Sequence, residues 1–130
     1  MIDHMELTVS DFDRAKAFYS AALAPLGARY LVTLPPEQTD GVAVGGFGQR
    51  DRAYLWISQG TPQRPSLHIA FTASRRDQVD AFHQAALAAG GTDNGTPGLR
   101  PHYHPDYYGA FVLCPDGHNI EAVCHAPVAP

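Results

Sequence analysis

Two histidines and one glutamate are the residues of this chain best suited to hold a metal ion. His4 and His68 lie 64 residues apart, at equivalent positions of two similar stretches. Glu121 lies within the apolar run 120–123, where a carboxylate without a partner would be costly to bury. Two imidazoles and one carboxylate leave coordination positions open for a substrate. They suit Fe(II), Mn(II), Ni(II) or Zn(II), and their spacing does not choose among these metals.

A second interpretation of the same residues needs no metal. A histidine in a strand usually serves as an ordinary hydrogen-bonding group, and a binding pocket can have apolar walls and a polar rim without an ion. The sequence therefore leaves two hypotheses open, a small metal-dependent enzyme and a metal-free protein that binds a small molecule.

The segment 99–109 is rich in histidine and tyrosine and is stiffened by two prolines. Such side chains in a rigid loop can close over a pocket and supply hydrogen bonds or an acid–base group. If the segment is extended, His102 and His104 share one face. The candidate catalytic groups, as proton donors or orienting residues, are Tyr103, His104 and Tyr108. The alternative is a loop whose aromatic rings cover a sheet edge or form a subunit contact.

Four residues are predicted to contact a substrate. Arg100 could bind a carboxylate through two parallel N–H contacts, or it could pair with Asp106. His102 lies two residues further along the same segment. Phe47 and Trp56 would provide apolar walls for the pocket.

An internal repeat determines how these residues are positioned. At an offset of 64, ten of the 23 positions from His4 to Leu26 are identical, and the matches include histidine, threonine, serine, aspartate and phenylalanine. Two copies do not make a solenoid, so the repeat predicts two similar modules packed into one domain. The first module spans about 1–60, a linker about 60–65, and the second module about 66–125.

Each copy begins with an alternating strand that leads into an amphipathic helix. In the first copy His4 and Glu6 share one strand face, Ser10 or Asp11 caps the helix, and Gly27 ends it. In the second copy the predicted cap is Ser74. The predicted strands are 2–9, 28–34, 42–47 and 53–58 in the first module and 67–72, 109–114 and 119–125 in the second. The residues 92–109 are predicted to form a long loop.

Composition excludes several classes of function. The chain has 130 residues, 45% of them hydrophobic, and a net charge of −4, which fits one globular domain. Its nine lysines and arginines form no basic run, so neither nucleic acid nor an anionic membrane is an expected partner. No signal peptide is visible, so Cys114 and Cys124 are predicted to be free thiols and the expected location is the cytoplasm.

Three motifs of the chain resemble those of one superfamily, which comprises glyoxalases, bleomycin-resistance proteins and extradiol dioxygenases, the vicinal-oxygen-chelate proteins. They are the stretch 2–11 with Phe18 and Tyr19, the stretch 67–71, and the stretch 111–121 with its Pro-Asp-Gly turn. The resemblance covers most of the chain. It implies an α+β fold of two βαβββ modules, whose curved mixed sheets enclose a cavity for a metal or a small-molecule ligand, and it implies a homodimer.

The resemblance also assigns roles to individual residues. His4, His68 and Glu121 match the ligands of a divalent metal. Trp56 falls at the place of a fourth ligand in glyoxalase I and cannot coordinate, which argues against that reaction. The remaining three ligands are similar to those of extradiol dioxygenases and manganese-dependent fosfomycin-resistance transferases. Similarity to the bleomycin-resistance proteins implies the alternative, a metal-free protein that sequesters a drug.

Overall fold

The computed structural model describes residues 1–128 as two modules whose strands and long helices follow in the same order. The first contains β1 (Met5–Val9), α1 (Phe12–Leu23), β2 (Arg29–Thr33), the single-turn helix α2 (Pro36–Thr39), β3 (Val44–Gln49) and β4 (Arg52–Gln59). The second contains β5 (His68–Thr72), α3 (Arg76–Ala88), β6 (Thr92–Leu99), β7 (Tyr108–Leu113) and β8 (Asn119–Cys124).

Each module forms its own four-stranded mixed sheet. The strand orders are β1-β4-β3-β2 and β5-β8-β7-β6, so the two sheets have the same topology. In each sheet the first strand pairs in parallel with the last, and the other pairs are antiparallel. The predicted α+β fold of two βαβββ modules is therefore confirmed.

The structure corrects the prediction that 92–109 is one long loop, because 92–99 forms the edge strand β6. This segment is polar, contains two glycines and a proline, and shows no alternation of apolar residues. Its pairing with β7 is interrupted by register shifts on either side of Gly95. Contacts with β7 thus impose the strand, and local sequence alone does not reveal it.

The two helix starts differ more than the repeat suggests. In the first module the Asp11 carboxylate accepts a hydrogen bond from the Arg14 backbone N–H at 3.1 Å, as one of the two predicted caps requires. In the second module the cap position is Arg75 and not Ser74. There the Gln78 side chain accepts from the backbone N–H groups of both residues.

The hydrophobic core lies between the two helices and one face of each sheet. Helices α1 and α3 also pack against each other, which joins the two modules into one core. The fully buried side chains of this core include Leu7, Phe18, Leu23, Leu55, Ile57, Val79, Phe82, Val112 and Ile120. Cys114 and Cys124 are buried free thiols, as predicted. Within residues 1–128, no helix has the length and apolar character needed to cross a bilayer.

Phe47 belongs to this core, which overturns its predicted role as a wall of the ligand pocket. Its ring is fully buried and makes edge-on contacts with Tyr19 at 6.0 Å and Tyr30 at 5.1 Å between ring centroids. Glycines on both sides of Phe47 in β3 hide the alternation that would have shown which face it occupies.

The Asp116 side chain, in the β7–β8 turn, ties the second module to the first. Its carboxylate accepts hydrogen bonds from the Ser10 backbone N–H at 3.1 Å and from the Ser10 hydroxyl. The Arg64 side chain, in the linker, donates to the Asp116 backbone carbonyl at 2.7 Å. The turn thus holds the junction of β1 and α1 in place, and with it the strand that follows His4.

Substitution Asp116→Ala is expected to lower the free energy of unfolding by about 1–2 kcal/mol, because two hydrogen bonds to a carboxylate are lost. Urea denaturation at neutral pH followed by circular dichroism measures this change. Asp51→Ala, in the exposed β3–β4 turn, is the matched control and should change it by less than about 0.5 kcal/mol. Equal effects of the two substitutions would contradict a specific link between the modules.

Candidate functional site

The His68 imidazole and the Glu121 carboxylate meet on the face of the second sheet that the helices leave uncovered. Strands β5 and β8 are parallel neighbours, and their register places Ala70 opposite Glu121 and so brings His68 within reach. His68 Nε2 lies 2.8 Å from Glu121 Oε1. The Glu121 side chain is only 1% exposed, whereas that of His68 is 54% exposed. One partner of the pair is therefore held rigidly, and the other is open to a ligand.

These two side chains fit a divalent metal. A hydrogen bond between Nε2 and Oε1 requires a proton between the two atoms, and a cation that replaced this proton could contact both of them. Imidazole nitrogen and carboxylate oxygen are ordinary ligands of Zn(II), Mn(II) and Fe(II). Two of the three predicted metal ligands thus lie together in one chain.

Tyr107, which the sequence did not single out, contacts the second oxygen of the same carboxylate. Its hydroxyl donates to Glu121 Oε2, and burial together with this bond holds the pKa of the Tyr107 hydroxyl well above its ordinary range. Gly109 makes room for the contact, since a Cβ atom there would lie 3.1 Å from the Tyr107 ring and 3.3 Å from Oε2. Strand alternation is a signal in the sequence that could have identified Tyr107, because the side chains of residues 107, 109 and 111 lie on the same face as Glu121.

His4, the third predicted ligand, is an exposed residue in front of β1 in the first module. Its Nδ1 lies 2.7 Å from the Asp3 carboxylate, which Arg52 also contacts. The hydrogen bond from His4, followed by the charge of Arg52, lowers the pKa of Asp3, so this carboxylate is ionised and accepts from the imidazole. In the neutral ring, Nδ1 then carries the proton and Nε2 carries the lone pair, which is the tautomer of a metal-binding histidine with a carboxylate behind it.

His4 does not join the other two predicted ligands within one chain. Among residues 1–128, no three histidine, cysteine, aspartate or glutamate side chains come close enough together to hold a metal ion. His4 lines a separate cleft of about 550 Å³ on the first sheet, whose other lining residues are Asp3, Glu6, Leu34, Val44, Ala53 and Trp56. A three-ligand site would therefore need a second copy of the chain.

Trp56 occupies the position of the first module that corresponds to Glu121 of the second. Glu6 pairs with Trp56 between β1 and β4, as Ala70 pairs with Glu121 between β5 and β8, and positions 6 and 70 are equivalent in the repeat. The first sheet thus presents an indole where the second presents a carboxylate. Trp56 lines the same cleft as His4, and its role as an apolar wall for a ligand stays a prediction.

The segment after β6 turns back on itself, so it is not extended and the condition under which His102 and His104 would share one face is not met. Backbone hydrogen bonds from Tyr103 and His104 N–H to the Arg100 carbonyl make the turn. The rings form a continuous cluster at the edge of the site. Its centroid distances are 4.2 Å for His102–Tyr103, 5.0 Å for Tyr103–Tyr107, 5.1 Å for Tyr107–His125 and 5.6 Å for His104–His125.

Tyr108 lies on the opposite face of the sheet from Glu121, where it cannot serve the predicted catalytic role. Its hydroxyl donates to an Asp80 carboxylate oxygen on α3 at 2.6 Å, and the Arg76 guanidinium lies 5.2 Å from its ring. The bond to Asp80, followed by burial, raises the pKa of the Tyr108 hydroxyl. Strand alternation explains the difference between the two tyrosines, because consecutive side chains at the start of β7 point to opposite faces of the sheet.

The Arg100 side chain lies flat over the second sheet, on the same side as His68. Its two terminal nitrogens donate to the backbone carbonyls of Gly98 and Thr96, both at 2.8 Å. Its guanidinium carbon is 5.4 Å from the Phe111 centroid, and that ring is 6.2 Å from the His68 ring. The alternative pairing with Asp106 is wrong, since the Asp106 carboxylate lies 3.9 Å from Arg76 instead. The positively charged guanidinium of Arg100 is thus held beside His68, one of the candidate metal ligands.

Comparisons with known proteins show the family and the fold of this chain. The sequence model of the Glyoxalase/Bleomycin resistance protein/Dioxygenase superfamily matches residues 1–122. The metallothiol transferase FosB of Shouchella clausii is 29% identical over 122 residues, which are 92% of this chain and 77% of that protein. A glyoxalase/bleomycin resistance protein from Albidiferax ferrireducens has a similar structure, with a TM-score of 0.73, 29% identity and coverage of 95% of this chain and 98% of that chain.

A more distant structure shares the fold. It is the fosfomycin resistance protein FosX of Listeria monocytogenes in complex with Mn(II) and a sulfate ion, with a TM-score of 0.68 and 17% identity. The match covers 95% of this chain and 91% of that chain.

Substitution Glu121→Met is expected to leave the stability of the metal-free protein unchanged or to raise it by up to about 2 kcal/mol. The substitution removes the cost of burying a carboxylate, and this gain offsets the two lost hydrogen bonds because the exposed His68 and the partly exposed Tyr107 can bind water instead. Thermal and urea denaturation in the presence of a chelator measure the effect. A loss of more than about 1 kcal/mol would show that Glu121 mainly stabilises the fold.

Proposed function

Because the chain belongs to the glyoxalase/bleomycin resistance protein/dioxygenase superfamily, we propose that it is a metal-dependent enzyme acting on a small substrate with neighbouring oxygen atoms. The supporting observation is the Glu121 carboxylate, buried beside His68 on the sheet face that no helix covers. His68 and Tyr107 hold the two oxygens of this carboxylate in place, and the exposed side of His68 lets a ligand reach the pair. The names of two relatives point the same way, since FosB is a metallothiol transferase and FosX was solved with Mn(II).

In this proposal the metal is held by Glu121 and His68 of one chain and by His4 of a second copy. His4 is exposed, its Nδ1 is held by Asp3, and no other candidate ligand completes a site around it among the described residues. A homodimer with two equivalent sites satisfies all of these observations.

The bound metal would act as a Lewis acid on an oxygen of the substrate. The Arg100 guanidinium, fixed over Phe111, would hold an anionic group of the substrate and set its orientation. The cleft that His4 and Trp56 line in the second copy would receive the apolar part of the substrate. His104 accepts a hydrogen bond from the Asp106 N–H at its Nδ1, so its Nε2 carries the proton in the neutral ring and can donate it at the rim of the site, next to Tyr103.

The first test is metal content per chain after incubation with Mn(II), Zn(II), Fe(II) or Ni(II) and gel filtration, on protein without a histidine tag. The wild type is expected to retain nearly one metal ion per chain. His4→Ala, His68→Ala and Glu121→Ala should each lose most of it, because each removes one of three ligands. A wild type that retains no metal would sink the enzyme proposal and favour a metal-free binding protein.

Mixing two variants that do not retain metal tests whether His4 of a site belongs to the same chain or to the second copy. If each site takes His4 from the other chain, a heterodimer of His4→Ala and Glu121→Ala carries one intact site and one doubly altered site. Random exchange of subunits should then restore about a quarter of the wild-type metal content. Two Glu121→Ala preparations mixed in the same way are the control. No recovery after proven exchange would place all three ligands in one chain and contradict the shared site.

Arg100→Gln is expected to weaken the binding of oxalate to the metal-loaded protein about tenfold, a loss of roughly 1.4 kcal/mol. Oxalate is a suitable probe because it combines vicinal oxygens with negative charge. Isothermal titration calorimetry measures the affinity, and Arg29→Gln, in the exposed strand β2, is the control for a change in net charge. Unchanged oxalate affinity would remove Arg100 from the substrate site.

A further inference from the structure

The geometry points to Tyr107 as a positioning residue that makes Glu121 a ligand through one oxygen only. This inference rests on the proposed function, because it concerns the same metal. It adds a residue that neither the sequence motifs nor the names of the relatives indicate, and it specifies how many coordination positions the carboxylate occupies.

The two oxygens of Glu121 have different partners. Oε1 faces His68 Nε2 at 2.8 Å, and Oε2 accepts the Tyr107 hydroxyl. A free carboxylate can bind a cation through one or both oxygens. A hydroxyl donor on Oε2 holds that oxygen away from the cation, so only Oε1 is presented on the side of His68. The coordination position that Oε2 would have filled stays open for a substrate oxygen.

Tyr107 is itself fixed from several directions. Its ring makes edge-on contacts with Tyr103 and His125, at 5.0 and 5.1 Å between centroids. Its backbone N–H donates to the His104 carbonyl at 3.0 Å, and its carbonyl accepts from the Arg100 N–H at 2.7 Å. The hydroxyl therefore reaches Glu121 from a rigid support, as is typical of groups that orient metal ligands. The cluster of rings around the turn thus supports the Tyr107 side chain.

The neighbouring tyrosine provides a matched control. Tyr108 also donates its hydroxyl to a carboxylate, that of Asp80, but on the opposite face of the same sheet. Tyr107→Phe and Tyr108→Phe each remove one hydroxyl and one hydrogen bond to a carboxylate and keep the ring. A general cost of losing such a bond will appear in both variants, whereas an effect on the metal will appear only in the first.

The experiment measures Mn(II) affinity by isothermal titration calorimetry for the wild type, Tyr107→Phe, Tyr108→Phe and Glu121→Ala, together with a thermal melt of each. Tyr107→Phe should weaken Mn(II) binding by about 10–100-fold, and Tyr108→Phe by less than about threefold. The visible absorption of the Co(II)-loaded proteins gives a second readout. Release of Oε2 to the metal raises the coordination number, which lowers the intensity of the Co(II) bands in Tyr107→Phe alone.

The outcomes separate this inference from the proposed function. If the wild type binds no Mn(II) or Co(II), the metal site itself fails and the positioning role fails with it. If the wild type binds, Glu121→Ala does not, and Tyr107→Phe matches the wild type in affinity and Co(II) spectrum, only the positioning role is overturned. Equal losses in Tyr107→Phe and Tyr108→Phe, with equal drops in melting temperature, would also overturn it.

Discussion

Each sheet of this protein has two faces and only one helix to cover them, and the rest of the structure depends on this constraint. Strand alternation sends every second side chain to the helices, where Leu55, Val112 and their neighbours form a single core. The remaining side chains face away from the helices, and polar groups can be placed among them without disturbing the core. His4, Trp56, His68 and Glu121 all belong to this second set. Glu121 differs from the others because local partners bury it.

The duplication places equivalent residues in two unequal surroundings. His4 and His68 are related by the repeat, yet the first is oriented by Asp3 and the second by Glu121. The register makes Trp56 the counterpart of Glu121, so the first sheet carries an indole where the second carries a buried carboxyl group. The two modules thus present different side chains at equivalent positions, and within residues 1–128 no three histidine, cysteine, aspartate or glutamate side chains come together.

The sequence was sufficient for the architecture and for part of the site. The 64-residue offset predicted two modules, and the parallel pairing of β5 with β8 turned two distant motifs into the contact between His68 and Glu121. Features that depend on tertiary context were missed. Strand β6 forms because it pairs with β7, and its own sequence does not predict a strand. Phe47 lies between glycines, which have no side chains to show which face of β3 is buried. Tyr107, just before β7, and Tyr108, its first residue, differ only in the face they occupy, and the sequence does not show this without the strand register.

Position 56 carries an indole where the equivalent position of the second module carries a carboxylate, and this difference shows how the fold can vary. Gly46 lies so close that a Cβ atom there would be 3.0 Å from the indole ring, so the ring lies directly against the neighbouring strand. The backbone of the first sheet has nevertheless kept the geometry that supports a carboxylate in the second. A change at a single codon would place an acidic side chain in that position while the surrounding fold stayed the same. This backbone can therefore carry either an indole or a carboxylate at equivalent positions, so a single substitution changes the chemistry of one sheet face without a change of architecture.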